Sequence, residues 1–216
     1  MKKYNYTTPI LITGAERSGA TIIARIIALS GAYAGKTNGM KENLGIKKLV
    51  DSYYQTFSAD ISGQAPLMDI EHLLLPNRWK MDVENSLSEE GWGQDKPWMY
   101  KSGRISQIWP VWNTAFPEAK YIIVRRRTGD IVHSCMKTAY MKAHTNEEAW
   151  LTWVKQHEER FNQMMTAGLN CMVIWPERMI DGDYRQVYEM LEWLRLGWHK
   201  DIVKVIDPLF NKVRRK

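Results

Sequence analysis

Two short segments of this chain hold residues whose types and spacing could bind phosphate. The first reads Gly14-Ala15-Glu16-Arg17-Ser18-Gly19-Ala20-Thr21 and follows the apolar run Ile10–Ile12. A helix-like stretch, Thr21–Leu29, follows it. A strand, a glycine-containing loop and a helix start together cradle an anion, because backbone N–H groups turn inward and the helix N-terminus adds partial positive charge. The spacing is nearly that of the nucleotide P-loop, G-x-x-x-x-G-K-[ST], but Ala20 stands where the lysine belongs and Arg17 sits inside the loop. In nucleotide triphosphatases that lysine reaches the β- and γ-phosphates, and the next Ser/Thr holds Mg²⁺. Without it, the loop could still grip one phosphate through its N–H groups and the Thr21 hydroxyl. Taken alone, the segment is also compatible with an ordinary glycine-rich turn.

The second segment follows another apolar run, Tyr121–Val124, and reads Arg125-Arg126-Arg127-Thr128-Gly129-Asp130 before a helix with Ser134 and Lys137. A cation at a strand end and a hydroxyl just inside the next helix can hold a second phosphate. Lys137, three residues beyond Ser134, shares its helix face. A basic surface turn is the plainer alternative. Two phosphate sites at two strand ends imply a ligand with phosphates at both ends of a nucleoside.

The elements that must position these residues alternate between β-prone runs and helical patterns, which predicts an α/β fold with a mainly parallel sheet. Expected strands are Ile10–Thr13, Trp98–Lys101, Tyr121–Val124 and Met172–Trp175. Helices are expected over Thr21–Leu29 and Leu44–Phe57, and over a stripe made of Ile131, Val132, Cys135, Met136, Ala139 and Tyr140. A longer helix should start after Asn146, a good N-cap, and bury Trp150, Trp153, Val154, His157, Phe161, Met164 and Met165. A last helix from about Asp183 should bury Val187, Tyr188, Leu191 and Leu194. Residues 58–97, with Pro66, Pro76, Pro97, Gly91 and Gly93, read as an irregular insertion with a short helix near Ile70–Leu75. Such a segment either covers an active site or is a packed surface excursion.

A chain of 216 residues with 44% hydrophobic side chains suits one sizeable domain. Cys135 and Cys171 are far apart in sequence and read as buried thiols, and the five histidines lack metal-binding spacing. No metal is therefore expected. The N-terminal residues hold no signal-peptide core, and no apolar run is long enough to cross a membrane, so a cytoplasmic setting without membrane contact is expected. The net charge of +6 is partly the tail, Lys212, Arg214, Arg215 and Lys216. That tail is either a solvated end or a contact with nucleic acid or membrane, and nucleic acid is the weakest of the candidate functions because it rests on charge alone. The positive excess also suits a small polyanionic cofactor.

The two phosphate segments together resemble those of sulfotransferases that use 3′-phosphoadenosine 5′-phosphosulfate (PAPS). Gly14–Thr21 is similar to the family's 5′-phosphosulfate loop, P-[RK]-S-G-T-[ST], and Arg126–Ser134 to its 3′-phosphate motif, R-D-P-x-D-x-x-x-S. Arg126, Asp130 and Ser134 fall on that motif's Arg, Asp and Ser. Between them, Lys101-Ser102-Gly103-Arg104 resembles the family's K-D-P-[RK] segment, Phe116–Tyr121 the approach to the 3′-phosphate strand, and Trp175-Pro176-Glu177-Arg178-Met179 the Y-E-D-L type turn. Glu16 replaces a Pro, Ala20 a Thr, Arg127-Thr128 an Asp-Pro, and Ser102-Gly103 another Asp-Pro.

The resemblance implies a three-layer α/β/α, P-loop NTPase-like fold and transfer of a sulfuryl group to a hydroxyl or amine of a small-molecule, carbohydrate or peptide acceptor. It leaves 3′-phosphoadenosine 5′-phosphate as product and needs no metal. It implies that Gly14, Ala15, Glu16, Arg17, Ser18, Gly19, Ala20 and Thr21 hold the 5′-phosphosulfate, that Arg126 and Ser134, with Lys137, hold the 3′-phosphate, and that Arg17 and Lys101 face the leaving oxygen. Glu42 is the first choice for the base; it resembles the loop glutamate of tyrosylprotein sulfotransferases but lies a few residues later, and it also reads as a solvated helix-start residue. Asp69, Glu71 and His72 are weaker alternatives, and His133 reads as structural. Trp79, Trp92 and Trp98 are candidates for an acceptor wall, whereas Trp150 and Trp153 read as core. A P-loop kinase of a small molecule or nucleotide and a non-catalytic nucleotide-binding protein of the same fold are the alternatives. Ala20 and the lack of a Walker-B Asp weigh against the kinase.

Overall fold

The computed structural model describes residues 8–206. The basic tail lies outside the described residues. The apolar run after Pro9 forms β1 (Ile10–Thr13), buried throughout. It leads into α1 (Ala20–Leu29), whose Ile22, Ile23, Ile26 and Ile27 recur at helical spacing and are buried. Helix α2 (Leu44–Thr56) starts at Asn43, whose side chain accepts the Ile46 N–H at 2.8 Å. A 3₁₀ turn at Ile70–His72 precedes α3 (Trp79–Glu89), β2 (Met99–Lys101) and the short helices α4 (Arg104–Gln107) and α5 (Trp109–Ala115). Then come β3 (Lys120–Val124), α6 (Thr128–Met136), α7 (Glu147–Thr166), β4 (Cys171–Ile174), α8 (Pro176–Ile180) and α9 (Arg185–Leu194).

The strands pair in parallel in the order β2-β1-β3-β4. Alternate residues of a strand point to opposite faces. Ile10 and Ile12 accordingly join α1 and α9 on one side, through residues such as Ile23 and Leu191. Leu11 joins α2, α3 and α5 on the other, through Val50, Val83 and Trp112. These are the expected three layers. A parallel sheet sends all its strand C-termini to one edge, where open α/β folds place their ligands. Thr13, Lys101 and Val124 all end there.

Four expectations need correction. The segment 58–97 is not merely irregular, because α3 is a regular helix with Trp79, Val83 and Leu87 buried at four-residue intervals. The stripe Ile131–Tyr140 stops at Met136, and Ala139 and Tyr140 are exposed. In α9, Tyr188 is 53% exposed and stacks on Trp198, while Met190 is buried in its place. Finally, Trp79, Trp92 and Trp98 do not form an open wall. They are buried among Tyr53, Trp112 and Phe116, where their large rings bury more apolar surface than an open wall would allow.

Trp150 and Trp153 pack in the core as expected, and Asn146 caps α7 by accepting the Ala149 N–H at 2.9 Å. Cys135 and Cys171 are free, and burial pushes each thiol up to about 11. Among the described residues no helix is long and apolar enough to cross a membrane, and no three His, Cys, Asp or Glu side chains cluster as metal ligands would.

Candidate functional site

The loop between β1 and α1 is shaped by three contacts that only small or left-handed residues permit. A Cβ on Gly14 would lie 2.5 Å from the Val124 carbonyl oxygen and 2.5 Å from Ser18 Oγ. Gly19 caps α1 with φ of 95°, and a Cβ there would meet the Pro176 ring at 3.2 Å. Arg17 is also left-handed, at φ of 70°. Right- and left-handed residues in alternation curl successive N–H groups toward one point. Ala20 and Thr21, in the first turn of α1, have no carbonyl one helical turn behind them to bond, and no side chain caps that end. Ser18 Oγ is buried without a hydrogen-bond partner.

This loop lines a cavity of about 520 Å³ together with Arg25, Met40, Lys101, Arg126, Lys204 and Val205. Five cations, Arg17, Arg25, Lys101, Arg126 and Lys204, line it against one carboxylate, Glu16. The sequence reading missed Arg25 and Lys204. Arg25 lies one turn beyond Thr21 on the same face of α1, a spacing that could have exposed it. Lys204 comes from the helical turn at 202–206, for which the loop offers no local signal.

The Arg125–Lys137 segment meets the glycine loop directly. Arg17 Nε donates to Ser134 Oγ at 2.9 Å, and Arg17 Nη1 donates to the Tyr140 hydroxyl at 3.2 Å. Arg126 Nη1 donates to the Arg17 carbonyl at 3.1 Å. Glu177, at the start of α8, accepts the Arg127 N–H at 3.2 Å and stands 3.9 Å from Arg126 Nε. Lys137 is exposed and lines neither of the cavities described here.

Lys101 ends β2 and is almost completely buried. Its ammonium lies 3.9 Å from a Glu42 carboxylate oxygen. Glu42 is held by a tight loop: Asn38 Oδ1 accepts the N–H groups of Met40 and Glu42, and Asn38 Nδ2 donates to Glu42 Oε2 at 3.0 Å. Glu90, capping the C-terminal end of α3, accepts from Lys36 N–H at 2.8 Å and Asn43 Nδ2 at 2.7 Å and so braces both ends of that loop. Lys101 and Glu42 also line a second cavity of about 290 Å³, with Glu16, Lys47, Ile61, Ser62, Gln64, Arg104 and Tyr140 on its walls. Lys101, Glu16 and Met40 line both cavities, so the two adjoin.

The structure therefore brings together Gly14–Thr21, Arg126, Ser134, Lys101 and Glu42. It leaves Asp69, Glu71, His72 and His133 outside both cavities; Asp69 and His72 pair with each other at 2.9 Å on the exposed surface.

Three solved structures share this architecture. The sulfotransferase domain of the olefin synthase of Synechococcus PCC 7002 aligns with a TM-score of 0.65 at 14% identity, over 94% of this chain and 78% of that one. Sulfotransferase STF9 of Mycobacterium avium aligns at 0.62 and 10%, over 97% and 69%. Sulfotransferase STF1 of Mycobacterium tuberculosis H37Rv aligns at 0.56 and 12%, over 93% and 71%. Identities this low speak for the fold alone. No curated protein matches the chain significantly. The sulfotransferase family model, however, matches residues 9–192, a span that takes in the Gly14–Thr21 loop, Lys101, the Arg126–Ser134 segment and the turn at Glu177, and on that match the chain belongs to the sulfotransferase family.

Proposed function

We propose that this chain is a PAPS-dependent sulfotransferase whose donor lies in the larger cavity and whose acceptor enters the smaller one. The observation that carries the reading is the position of Lys101: it lines both cavities and stands 3.9 Å from a carboxylate that lines only the smaller.

The residues present fit a nucleotide with phosphates at both ends. The Gly14 cradle has no room for a Cβ, the Ala20 and Thr21 amides at the start of α1 lack partners, the buried Ser18 hydroxyl is unsatisfied, and five cations surround them. Loop N–H groups from Gly19 to Thr21 and the Ser18 hydroxyl would hold the 5′-phosphate, the Ser18 N–H being spent on the Ala15 carbonyl at 3.0 Å, and Arg126, with Ser134, the 3′-phosphate. When bound, the donor supplies a sulfuryl group on a phosphate leaving group.

The chain's own groups do three things. Glu42 accepts the proton that the acceptor hydroxyl or amine loses as it attacks sulfur. Lys101, at the join of the cavities, neutralises negative charge that grows on the leaving oxygen; one well-aimed group of this kind contributes about 2–4 kcal/mol. Arg17 fixes the loop against Ser134 and adds positive charge beside the transferred group. Sulfuryl transfer, like phosphoryl transfer, then proceeds mainly through positioning and charge stabilisation.

Thermal shift without Mg²⁺ tests the donor. Stabilisation by 3′-phosphoadenosine 5′-phosphate is the expected result; stabilisation only by ATP·Mg²⁺ would assign the site to a kinase. Loss of sulfate from PAPS in the presence of an acceptor panel, followed by mass spectrometry, separates an enzyme from a non-catalytic binder.

A further inference from the structure

The smaller cavity is built around a guanidinium rather than an aromatic wall. Arg104, the first residue of α4, is 5% exposed and lines it. Its aliphatic stem passes under Gly63, where a Cβ would lie 3.0 Å from Arg104 Cγ; Gly63 sits at φ of 69° and so lets the loop close over the arginine. Its guanidinium carbon lies 5.2 Å from the centroid of the Tyr54 ring. One nitrogen, Nη1, donates to Asp51 Oδ1 at 2.6 Å. Among the described residues the guanidinium has this one hydrogen-bond partner, although it carries five N–H groups. A buried arginine with unspent donors on a cavity wall is a costly arrangement unless an acceptor group completes it.

The local charge count points the same way. Asp51 is shared: its other oxygen accepts from Lys47 Nζ, also at 2.6 Å, and Lys47 lines the same cavity. Two cations therefore divide one carboxylate. Glu42 is matched to Lys101, and Glu16 stands at the border with the larger cavity, opposite its four other cations. The Arg104–Lys47 corner is one anion short.

Resting on the sulfotransferase reading above, we infer that the acceptor is a small molecule carrying an anionic group, a carboxylate or a phosphate, which Arg104 and Lys47 bind while its hydroxyl or amine reaches Glu42. A planar guanidinium held from behind by Asp51 and Tyr54 can present its remaining N–H groups to such an anion in a fork. The volume, about 290 Å³, is at the small end of ligand pockets and suits a compact metabolite rather than a polymer segment buried whole.

Matched probes test this with the full chain. With 3′-phosphoadenosine 5′-phosphate saturating, ligand-observed NMR titrations compare 4-hydroxybenzoate with its methyl ester, glycerol 3-phosphate with glycerol, and glucose 6-phosphate with glucose. At least one acid should bind about tenfold or more tightly than its neutral partner, the size of a charged hydrogen bond. The carboxylate and phosphate arms show which anion the corner prefers. Arg104→Gln should erase the preference while 3′-phosphoadenosine 5′-phosphate still binds as before. Lys47→Gln, on a side chain one-third exposed, should reduce the preference without threatening the fold. Equal binding of acids and neutral partners, or an unchanged preference in both variants, overturns the inference. Failure of 3′-phosphoadenosine 5′-phosphate itself to bind overturns the donor reading instead.

Discussion

Arg17 Nε donates to Ser134 Oγ at 2.9 Å, joining the Gly14–Thr21 loop to α6 across 117 positions of the chain. The carbonyl of the same Arg17 accepts from Arg126 Nη1 at 3.1 Å. The Gly14–Thr21 loop and the Arg126–Ser134 segment are thus one hydrogen-bonded unit at the sheet edge, and Tyr140 extends it to the wall of the smaller cavity.

Coupling across that bond is the first expected outcome. Arg126→Ala should weaken 3′-phosphoadenosine 5′-phosphate binding by about 1.5–3 kcal/mol, since a charged hydrogen bond to the ligand is lost. Arg17→Ala should cost turnover more than affinity. Arg17→Ala and Ser134→Ala together should be non-additive, with a coupling of about 0.5–2 kcal/mol measured by calorimetry in a double-mutant cycle. Strict additivity would mean that the Arg17–Ser134 bond does not organise the ligand-bound site.

The pair at the junction of the cavities should separate binding from chemistry. Glu42 lines only the smaller cavity, so Glu42→Gln should leave affinity for 3′-phosphoadenosine 5′-phosphate intact and lower kcat by about 10²–10⁴. Lys101 lines both, so Lys101→Met should lower kcat by about 10²–10³ and weaken donor binding as well. Steady-state kinetics with PAPS, alongside calorimetry with its product, checks both halves. A Glu42→Gln variant with normal kcat would remove Glu42 from the role of base.

Trp79 anchors the segment that reads as an insertion. Its ring packs edge-on against Tyr53 at 5.6 Å and Trp112 at 5.3 Å between centroids. Trp79→Ala should destabilise the protein by about 3–5 kcal/mol in urea unfolding. Met81→Ala, at a position 45% exposed on the same helix, should stay within about 0.5 kcal/mol. A small effect of Trp79→Ala would mean that α3 is peripheral after all. Because Glu90 at the end of α3 braces the Glu42 loop, Glu90→Ala should also lower kcat without moving affinity for the donor product.

The two segments that meet at the sheet edge could be picked out from sequence because their signals are local: glycine spacing, an arginine and a hydroxyl lie within a few positions of one another. The three layers could be read because the apolar runs alternate with amphipathic stretches. What escaped was set by distance in the chain. Arg25 left a faint i,i+4 trace from Thr21, but Lys204 reaches the cavity from the far end of the chain and Tyr140 from beyond the end of α6. Helix α3 was hidden by its surroundings: prolines and glycines flank it, although Trp79, Val83 and Leu87 repeat every four residues. The tryptophans misled because an aromatic residue near an irregular segment has the same letter whether it lines a cavity or fills a core. Only tertiary packing, of Trp79 on Trp112 and of Trp98 on Trp92 and Phe116, decides that Trp79, Trp92 and Trp98 fill one.

His157 makes the fold sensitive to acid. It is fully buried in α7, with Ser106 Oγ 3.5 Å from Nδ1 and Gln107 Nε2 3.4 Å from Nε2, and Trp153 packs on its ring at 4.4 Å. Burial, helped by the charge of Arg160, pulls its pKa from 6.5 down to about 3. The unfolded chain therefore takes up a proton near pH 6.5 that the folded chain refuses until about pH 3. Between those values the unfolded state binds more protons, so stability is full above pH 6.5 and falls on acidification. The slope approaches about 1.4 kcal/mol per pH unit, the value for one proton. Urea unfolding at several values between pH 7.5 and 5, above the range where most carboxylates titrate, isolates the effect. His157→Gln should flatten that dependence even if it lowers stability at pH 7.5. An equally steep loss in the variant would place the acid sensitivity elsewhere, with the shared Asp51 carboxylate the next group to test at lower pH: burial alone would raise its pKa, but hydrogen bonds from Lys47 and Arg104 outweigh burial and hold it below the usual range.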